Sequence, residues 1–242
     1  MSNTRKVYLI PCFIDDAAIH TIPFYITEAI KDCQCFFVEN ERTARRFLKQ
    51  LWKTYLTGQE LVIDDYEWFT IHKAESEVQE AFRKKLKEGK NIGIISEAGC
   101  PGIADPGQLL VKTAQELHIP VKPLVGPSSI LLALMASGMN GQQFQFVGYL
   151  PIDNQERTRV VRELEAESRK KNCTQLFIET PYRNNQLIEA LVTSCRSDSR
   201  LCIAVDITGK NESITTKTIA EWAKNKPDIH KRPAIFLLMA SH

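Results

Sequence analysis

The sequence has no apolar run near the roughly 20 residues of a membrane-spanning helix, so it predicts no such span. No signal-peptide pattern is present in its first residues, MSNTRKVYLIPCF, which pass directly into a strand-like segment. A CxxC pair is also missing. The seven cysteines are scattered at irregular spacing, which is typical of free thiols in a reducing compartment. We therefore expect a cytoplasmic protein.

Cysteine and histidine residues at the spacing of metal ligands are missing too, and so is a strong net charge. Cys33 and Cys35 have no second pair to complete a metal motif. The five histidines lack ligand spacing; they are His20, His72, His118, His230 and His242. We therefore predict no metal site. The net charge of +2 gives no sign of nucleic-acid binding, so an RNA partner would need a local basic face.

The common nucleotide and hydrolase motifs do not occur. There is no GxGxxG after the first strand and no GxxxxGK[ST], which argues against a Rossmann cofactor or a P-loop nucleotide. A GxSxG nucleophile elbow is also absent. Any pocket in this chain must therefore serve some other chemistry.

The most distinctive segment that the chain does contain is residues 92–110, IGIISEAGCPGIADPGQLL. It reads as a buried strand, a loop rich in glycine and proline, and the start of a helix. In α/β proteins such a loop builds a small-molecule site at the carboxyl end of a strand. A purely structural connection is the alternative, but this loop is far longer than a strand-to-helix turn requires.

Strand and helix patterns alternate along the chain and restart near residues 123–126. The alternation predicts an α/β fold of two domains, residues 1–123 and 124–242, with mainly parallel or mixed sheets and helices on both faces. Loops with unusual residues follow several of the strands. Parallel strands would bring these loops to one edge, where ligands bind.

Four motifs resemble those of the tetrapyrrole-methylase superfamily. SEAGCPGIADPG (residues 96–107) is similar to the SDAGTPxISDPG of its ribosomal-RNA branch, the small-subunit rRNA cytidine 2′-O-ribose methyltransferases. The others follow in order: PLVGPSSILLALMASGM (123–139) resembles PLPGPSAxxxALxxSGL, FQFVGYLP (144–151) resembles FxFxGFLP, and FIETPYR (177–183) resembles YESPHR.

The N-terminal third departs further from the family pattern. VENERTARRFL (residues 38–48) resembles CEDTRxTxxLL, with Asn40 in place of the acid. The family's PIGNLxD loop is replaced by residues 11–16, and residues 205–210 form a loose version of RELTK. These departures fall where an acceptor would be handled.

The resemblance implies S-adenosylmethionine as the cofactor, bound in a cleft between the domains of a homodimer. It implies that the loop of residues 99–105 contacts the cofactor through its backbone and that Ser128 and Ser129 bind the cofactor's polar end. It also implies that residues 177–179 and 204–206 line the adenine and that Pro11 closes the floor of the cleft. The implied cofactor residues are Pro11, Gly99, Cys100, Pro101, Ile103, Ala104, Asp105, Ser128, Ser129, Phe177, Ala204, Val205 and Asp206. For Phe177 and Ala204, a role as core residues is an equal alternative.

The acceptor implied by the resemblance is ribosomal RNA. Glu97, Glu179, Asp105 and Lys210 are candidates for a base or hydrogen-bond acceptor at a ribose hydroxyl. Arg183 suits a phosphate, because its planar guanidinium binds oxygens in pairs, but a salt bridge at a helix start is equally expected. A basic path for RNA would comprise Arg42, Arg45, Arg46, Lys49, Arg157, Arg159 and Arg162, although for any single one a solvated helix face is favoured.

Two alternatives remain at this point. An enzyme of the same superfamily with a small, tetrapyrrole-like acceptor would be expected to carry a GDP triplet where this chain has Gly99, Cys100 and Pro101. A relative that binds the cofactor or RNA but has lost catalysis is suggested by Asn40 and the altered loop of residues 11–16.

Overall fold

The computed structural model describes residues 5–59, 61–71 and 75–241, with no side-chain description for 75–77. His72 and His242, two of the five histidines named above, lie outside the described residues. The chain divides into two compact units between Ser128 and Ser129, a few residues beyond the expected boundary at 123–124. Each unit contains one five-stranded sheet, which confirms the predicted class of two α/β domains.

The first unit is a parallel α/β sheet. Its strands are β1 (Val7–Ile10), β2 (Cys35–Val38), β3 (Glu67–Thr70), β4 (Ile92–Ile95) and β5 (Val121–Pro123), in the spatial order β3-β2-β4-β1-β5. Its helices are α1 (Ile26–Asp32), α2 (Glu41–Tyr55), α3 (Glu75–Lys87) and α4 (Gln108–Glu116), with 3₁₀ turns at Ile19–Thr21 and Ile63–Asp65. Every strand pair is parallel, so all five strands end at one edge.

Hydrophobic side chains project from both faces of this sheet, which explains why helices pack against each face. Phe36 joins one buried cluster with Phe47 of α2, while Phe37 joins the opposite cluster with Phe82 of α3. Successive residues of a strand point to opposite faces, so the continuous apolar run of β2 requires cover on each side. The helix pairs therefore fix the sheet and leave the strand-end loops at its edge.

The second unit carries a mixed sheet in the order β6-β7-β10-β8-β9. Its strands are β6 (Phe144–Tyr149), β7 (Thr174–Ile178), β8 (Arg200–Val205), β9 (Ser213–Thr218) and β10 (Ala234–Met239). Its helices are α5 (Ser129–Ser137), α6 (Asn154–Lys171), α7 (Asn184–Ser194) and α8 (Ile219–Lys224). Asp153 caps α6 by accepting hydrogen bonds from two backbone N–H groups, and Asn172 ends it in the left-handed conformation.

Only β6 and β7 pair in parallel in this sheet, so a mainly parallel arrangement applies to the first unit alone. The connection between β8 and β9, residues 206–212, is too short for a crossover, so those strands run antiparallel. Strand β10 lies between β7 and β8 and runs opposite to both. Strands β6, β7 and β8 consequently share one direction and end at the same edge.

Candidate functional site

Backbone pairing joins two strand-end loops of the first unit. The Cys12 N–H donates to the Gly99 carbonyl at 2.8 Å, and the Gly99 N–H donates to the Cys12 carbonyl at 3.2 Å. This isolated antiparallel bridge ties the end of β1 to the Gly/Pro-rich loop, residues 96–107. Gly99 has φ +67°, a conformation that side chains disfavour, so glycine is suited to this position.

A third strand-end loop, which follows β5, packs against both of these. At Gly126 there is no room for a side chain, because a Cβ there would lie 2.2 Å from the Cβ of Pro11. The Cys100 thiol lies 3.5 Å from the Pro127 carbonyl oxygen and 3.9 Å from that of Gly126. Pro11, Gly99 and Cys100, which the resemblance implies for the cofactor, are therefore held together by the fold of one unit.

A pocket of about 340 Å³ opens beside this junction, within the size range of small-molecule sites. It is lined by Leu9, Cys100, Pro101, Gly102, Ile103, Gln108, Val111, Pro123 and Leu124. The lining is largely apolar, and Ala104 beside it has φ +63°, a strained conformation for a residue with a side chain. Burial raises the pKa of the Cys100 thiol, so this sulfur is neutral and suited to packing rather than to nucleophilic attack.

Three carboxylates meet at the mouth of the Gly/Pro-rich loop. Burial, followed by repulsion from Glu39, raises the pKa of Asp105 to about 6, with Glu97 adding a smaller repulsion. The Glu97 backbone N–H donates to the Glu39 carboxylate at 3.0 Å, and Thr43 donates its hydroxyl to Glu97 at 3.2 Å. This concentration of negative charge favours a cationic ligand or a group that gives up a proton.

Two residues of this site were missed by the sequence predictions. Tyr25 accepts a hydrogen bond from the Val125 N–H at 2.7 Å and so anchors the loop that carries Gly126. No sequence signal relates residues 25 and 125. Glu39 belongs to the VENERTARRFL motif. An acidic residue directly after a buried strand was the sequence signal that could have identified it. In the same motif, Asn40 caps α2 through Arg42 N–H and Thr43 N–H, a task that asparagine performs as well as aspartate.

In the second unit, Glu179 and Arg183 form an ion pair at the end of β7. The Arg183 Nη2 lies 2.6 Å from Glu179 Oε1, and its Nε lies 3.0 Å from the same oxygen. The Glu179 side chain is fully buried. Arg183 sits directly before α7, so the salt bridge at a helix start is present, and the catalytic assignments of both residues stay predictions.

The loop after β8 contains the remaining polar candidates. Asp206 has φ +49° and pairs with Arg232, whose Nε lies 2.8 Å from its carboxylate. Lys210 is exposed. The ends of β7 and β8 lie at one edge of the sheet, on either side of β10, so this sheet gathers Glu179 and Asp206 toward the same end.

Other implied cofactor residues of the second unit lie in its core. Phe177 is fully buried and stacks on Phe236 at 6.0 Å, and Ala204 and Val205 are buried in β8. Ser129 begins α5, and Ser128 precedes it. Core packing is thus the observed role of Phe177 and Ala204, and contact of any of these residues with a cofactor stays a prediction.

Several of the basic residues expected on an RNA path form ion pairs within their own unit. Arg45 binds Asp64 and Glu41, Arg46 binds Asp16, and Arg159 binds Glu163. Arg157 is buried, at 3% exposure, so the expectation of a solvated helix face is wrong for it. Its aliphatic stem and guanidinium are enclosed at the start of α6, where neighbouring elements cover that face.

Among the described residues, no group of three or more His, Cys, Asp or Glu side chains is arranged to hold a metal ion. Within the same ranges, no helix is long and apolar enough to cross a membrane. All seven cysteines are free thiols.

Several known proteins resemble this chain in sequence. Proteins named ribosomal RNA small subunit methyltransferase I match at 31% identity over 225 residues in Bacillus subtilis, covering 92% of this chain and 71% of the relative. The match in Escherichia coli O157:H7 is 32% over 174 residues, covering 70% of this chain and 59% of the relative. The chain thus spans between about half and three fifths of the length of several of these relatives.

Solved structures agree on the fold. The methyltransferase CobJ superposes with a TM-score of 0.61 at 14% identity, covering 98% of this chain and 93% of its own. Uroporphyrin III C-methyl transferase from Thermus thermophilus superposes with a TM-score of 0.54 at 15% identity, covering 97% of each chain. The model of the family described as Tetrapyrrole (Corrin/Porphyrin) Methylases matches residues 23–223. The chain therefore belongs to the tetrapyrrole methylase family of S-adenosylmethionine-dependent methyltransferases.

Proposed function

We propose that this protein methylates ribosomal RNA of the small subunit, at the 2′-hydroxyl of a cytidine, with S-adenosylmethionine as the methyl donor. The observation that carries the cofactor part is the junction of Pro11, Gly99 and Gly126 beside an apolar pocket. The acceptor part rests on the names of relatives near 30% identity.

The residues at the junction fit such a cofactor. Cys100, Pro101 and Ile103 of the Gly/Pro-rich loop line a largely apolar pocket, which would exclude water from part of a bound ligand. The acids Glu39, Glu97 and Asp105 suit the positive charge of a sulfonium and an ammonium group. When bound, the cofactor supplies an electrophilic methyl group, and the protein's own task is to hold donor and acceptor in line.

The acceptor hydroxyl must lose a proton during methylation. Asp105 is suited to receive it or to polarise the hydroxyl, since its pKa of about 6 leaves it ionised at neutral pH yet more basic than an ordinary aspartate. Glu97, at the same loop, is held by Thr43 and is the second candidate. Glu179, Arg183 and Lys210 of the second unit remain proposed contacts of the acceptor.

We also propose a homodimer in the cytoplasm. Helix α5 is apolar around its whole circumference, yet Leu131 and Met135 are 51% and 79% exposed in the single chain. A helix of this kind is normally covered on all sides. A second copy of the chain is the occupant that the family resemblance implies, and the free cysteines suit a reducing compartment.

The test of the proposed function is methyl transfer from labelled cofactor to purified acceptors. The purified protein is incubated with small ribosomal subunits, their naked RNA and a tetrapyrrole precursor, using ribosomes from cells that lack this gene. We expect label in small-subunit RNA, at the ribose of a single cytidine after nuclease digestion. Label in the small molecule alone would overturn the acceptor assignment.

Calorimetry with the cofactor separates the remaining outcomes. Binding without transfer to any acceptor would indicate a relative that has lost catalysis. Absence of binding would overturn the cofactor site itself. An Asp105→Asn variant serves as the matched control for transfer, because it is nearly the same size but cannot accept the proton.

A further inference from the structure

Arg157 is a buried cation without an acidic partner. Its side chain lies in the first turns of α6 at 3% exposure, and no ion pair among the described residues includes it. One terminal nitrogen donates to the Ile152 carbonyl at 3.4 Å and the other to the side-chain oxygen of Asn154. The Nε is buried and has no hydrogen-bond partner in the part of the chain that the structure describes.

A pocket of about 480 Å³ adjoins this arginine within the second unit. Besides Arg157 it is lined by Asn154, Thr158, Gln186, Glu189, Ala190 and Thr193, from α6 and α7. The side chains of Thr158 and Gln186 have no hydrogen-bond partner among the described residues, so their donors are available. The acid Glu189 is engaged elsewhere, with Lys226 at 2.5 Å.

The location suits a ligand site. Helices α6 and α7 begin after β6 and β7, which are parallel, so Arg157 lies near the carboxyl ends of two parallel strands. Ligands of α/β sheets bind at such ends. An arginine stays protonated at all physiological pH values, and a buried charge that lacks a counter-charge is costly. An anion in the pocket would relieve that cost.

We propose that Arg157 and the polar groups around it form a binding site for a phosphate group. Arg157 supplies an uncompensated positive charge at the wall of the pocket, and Thr158 and Gln186 offer a hydroxyl and an amide. These are the donors that bind tetrahedral oxyanions, with arginine at the centre. Two sources carry this chemistry, a backbone phosphate of the RNA acceptor and free inorganic phosphate. The first source rests on the proposed function, and the second does not.

The first experiment measures the melting temperature of the full chain against inorganic phosphate, with sodium chloride at matched ionic strength. A ligand that binds the folded state raises the melting temperature with saturation. We expect a saturable rise for the wild type and for Arg159→Gln, whose side chain is on the same helix but 61% exposed. We expect no phosphate response for Arg157→Gln. Equal effects of phosphate and chloride on the wild type would overturn the site.

A second variant keeps the test decisive where Arg157→Gln fails to fold. Gln186→Glu places a carboxylate in the same pocket, where it supplies the missing counter-charge. We expect this variant to melt at a higher temperature than the wild type and to lose the phosphate response. A wild-type phosphate response retained in Gln186→Glu would place the bound anion elsewhere and overturn the assignment.

The RNA arm identifies the source of the phosphate. Binding of small-subunit RNA is measured over a range of salt concentrations for the wild type, Gln186→Glu and the control Lys171→Gln, whose exposed lysine lies at the other end of α6. Loss of one phosphate contact lowers the salt dependence of log affinity by about one. We expect that decrease for Gln186→Glu. An unchanged salt slope, with the phosphate response lost, assigns the pocket to free phosphate, and neither arm requires methyl transfer.

Discussion

Pro11 occupies the space that a side chain at Gly126 would fill: a Cβ there would be 2.2 Å from the Pro11 Cβ and 2.3 Å from its Cγ. A proline ring cannot move aside as a flexible side chain would. Gly126→Ala must therefore push apart the loops that follow β1 and β5. Overpacking of this kind costs about 1–3 kcal/mol of stability.

We expect Gly126→Ala to weaken cofactor binding as well as to destabilise the fold. The displaced loop carries the carbonyl groups that approach Cys100, beside the pocket. Calorimetric affinity and the free energy of unfolding are the measurements. Gly141→Ala is the control, because a Cβ at that position meets nothing within 4 Å. Equal, small effects of the two substitutions would show that the junction does not control the pocket.

Tyr25 gives a finer test of the same loop. Tyr25→Phe removes the acceptor of the Val125 N–H while keeping the ring, so the loss of stability should be about 1 kcal/mol. We expect a rise of several-fold in the Michaelis constant for the cofactor and a nearly unchanged turnover, since Tyr25 acts through the loop. Tyr182→Phe, at an exposed ring, is the matched control. A fall in turnover with no change in the Michaelis constant would contradict a positioning role.

The sequence was sufficient for the fold but not for the junction. Strand β4 and the loop after it could be predicted, because few other structures suit an apolar run that is followed by glycines and prolines. The bridge between Cys12 and Gly99 and the contact between Tyr25 and Val125 join residues 87 and 100 positions apart, and local patterns carry no information on such pairs. The antiparallel direction of β10 could not be predicted for the same reason, because the direction of a strand depends on the strands with which it pairs.

The burial of Arg157 shows a further limit. In the sequence it stands with Arg159 and Arg162 in a charged helix. Helical spacing alone predicts that each of these side chains is exposed to solvent. Only the packing of α7 against α6 decides which face is covered. Asn40 is the reverse case, where an apparent departure from a motif keeps the capping geometry.

Asp105 predicts a pH dependence of ligand binding. Because burial and repulsion from Glu39 raise its pKa to about 6, the carboxyl is protonated in much of the population near that pH. A cation in the pocket should displace the proton. We expect the ratio of affinities for S-adenosylmethionine and the uncharged sulfur of S-adenosylhomocysteine to rise between about pH 5 and 7. A ratio independent of pH, as expected for Asp105→Asn, would contradict this.

The same group predicts how stability depends on pH. Its folded-state pKa lies above the ordinary value of 3.8, so the neutral carboxyl stabilises the fold below that value, and this stabilisation is lost as the pH rises through about 6. Asp105→Asn stays neutral throughout. We expect it to exceed the wild type by about 1 kcal/mol at pH 8, a figure discounted for partial exposure, and to match it near pH 3.5. Urea unfolding at the two pH values measures the difference.

Arg183 tests whether the ion pair at the end of β7 supports the fold. In Arg183→Ala the fully buried carboxylate of Glu179 loses its cation, which costs about 3–5 kcal/mol for pairs of this kind. The double variant Glu179→Gln with Arg183→Ala should recover part of the loss, because no charge is then buried. Chemical unfolding gives the coupling energy. Wild-type stability in Arg183→Ala, with methyl transfer abolished, would assign the arginine to the acceptor instead.

Met135 decides the proposed dimer. It is 79% exposed on α5, a helix that is apolar on all sides, and a charge at the centre of an apolar contact is costly. We expect Met135→Glu to sediment as a monomer at concentrations where the wild type is a dimer, with an unchanged melting temperature at low protein concentration. Met135→Leu keeps the apolar surface and should remain a dimer. A wild type that sediments as a monomer, or a Met135→Glu dimer of wild-type affinity, would show that this face of α5 does not join two copies.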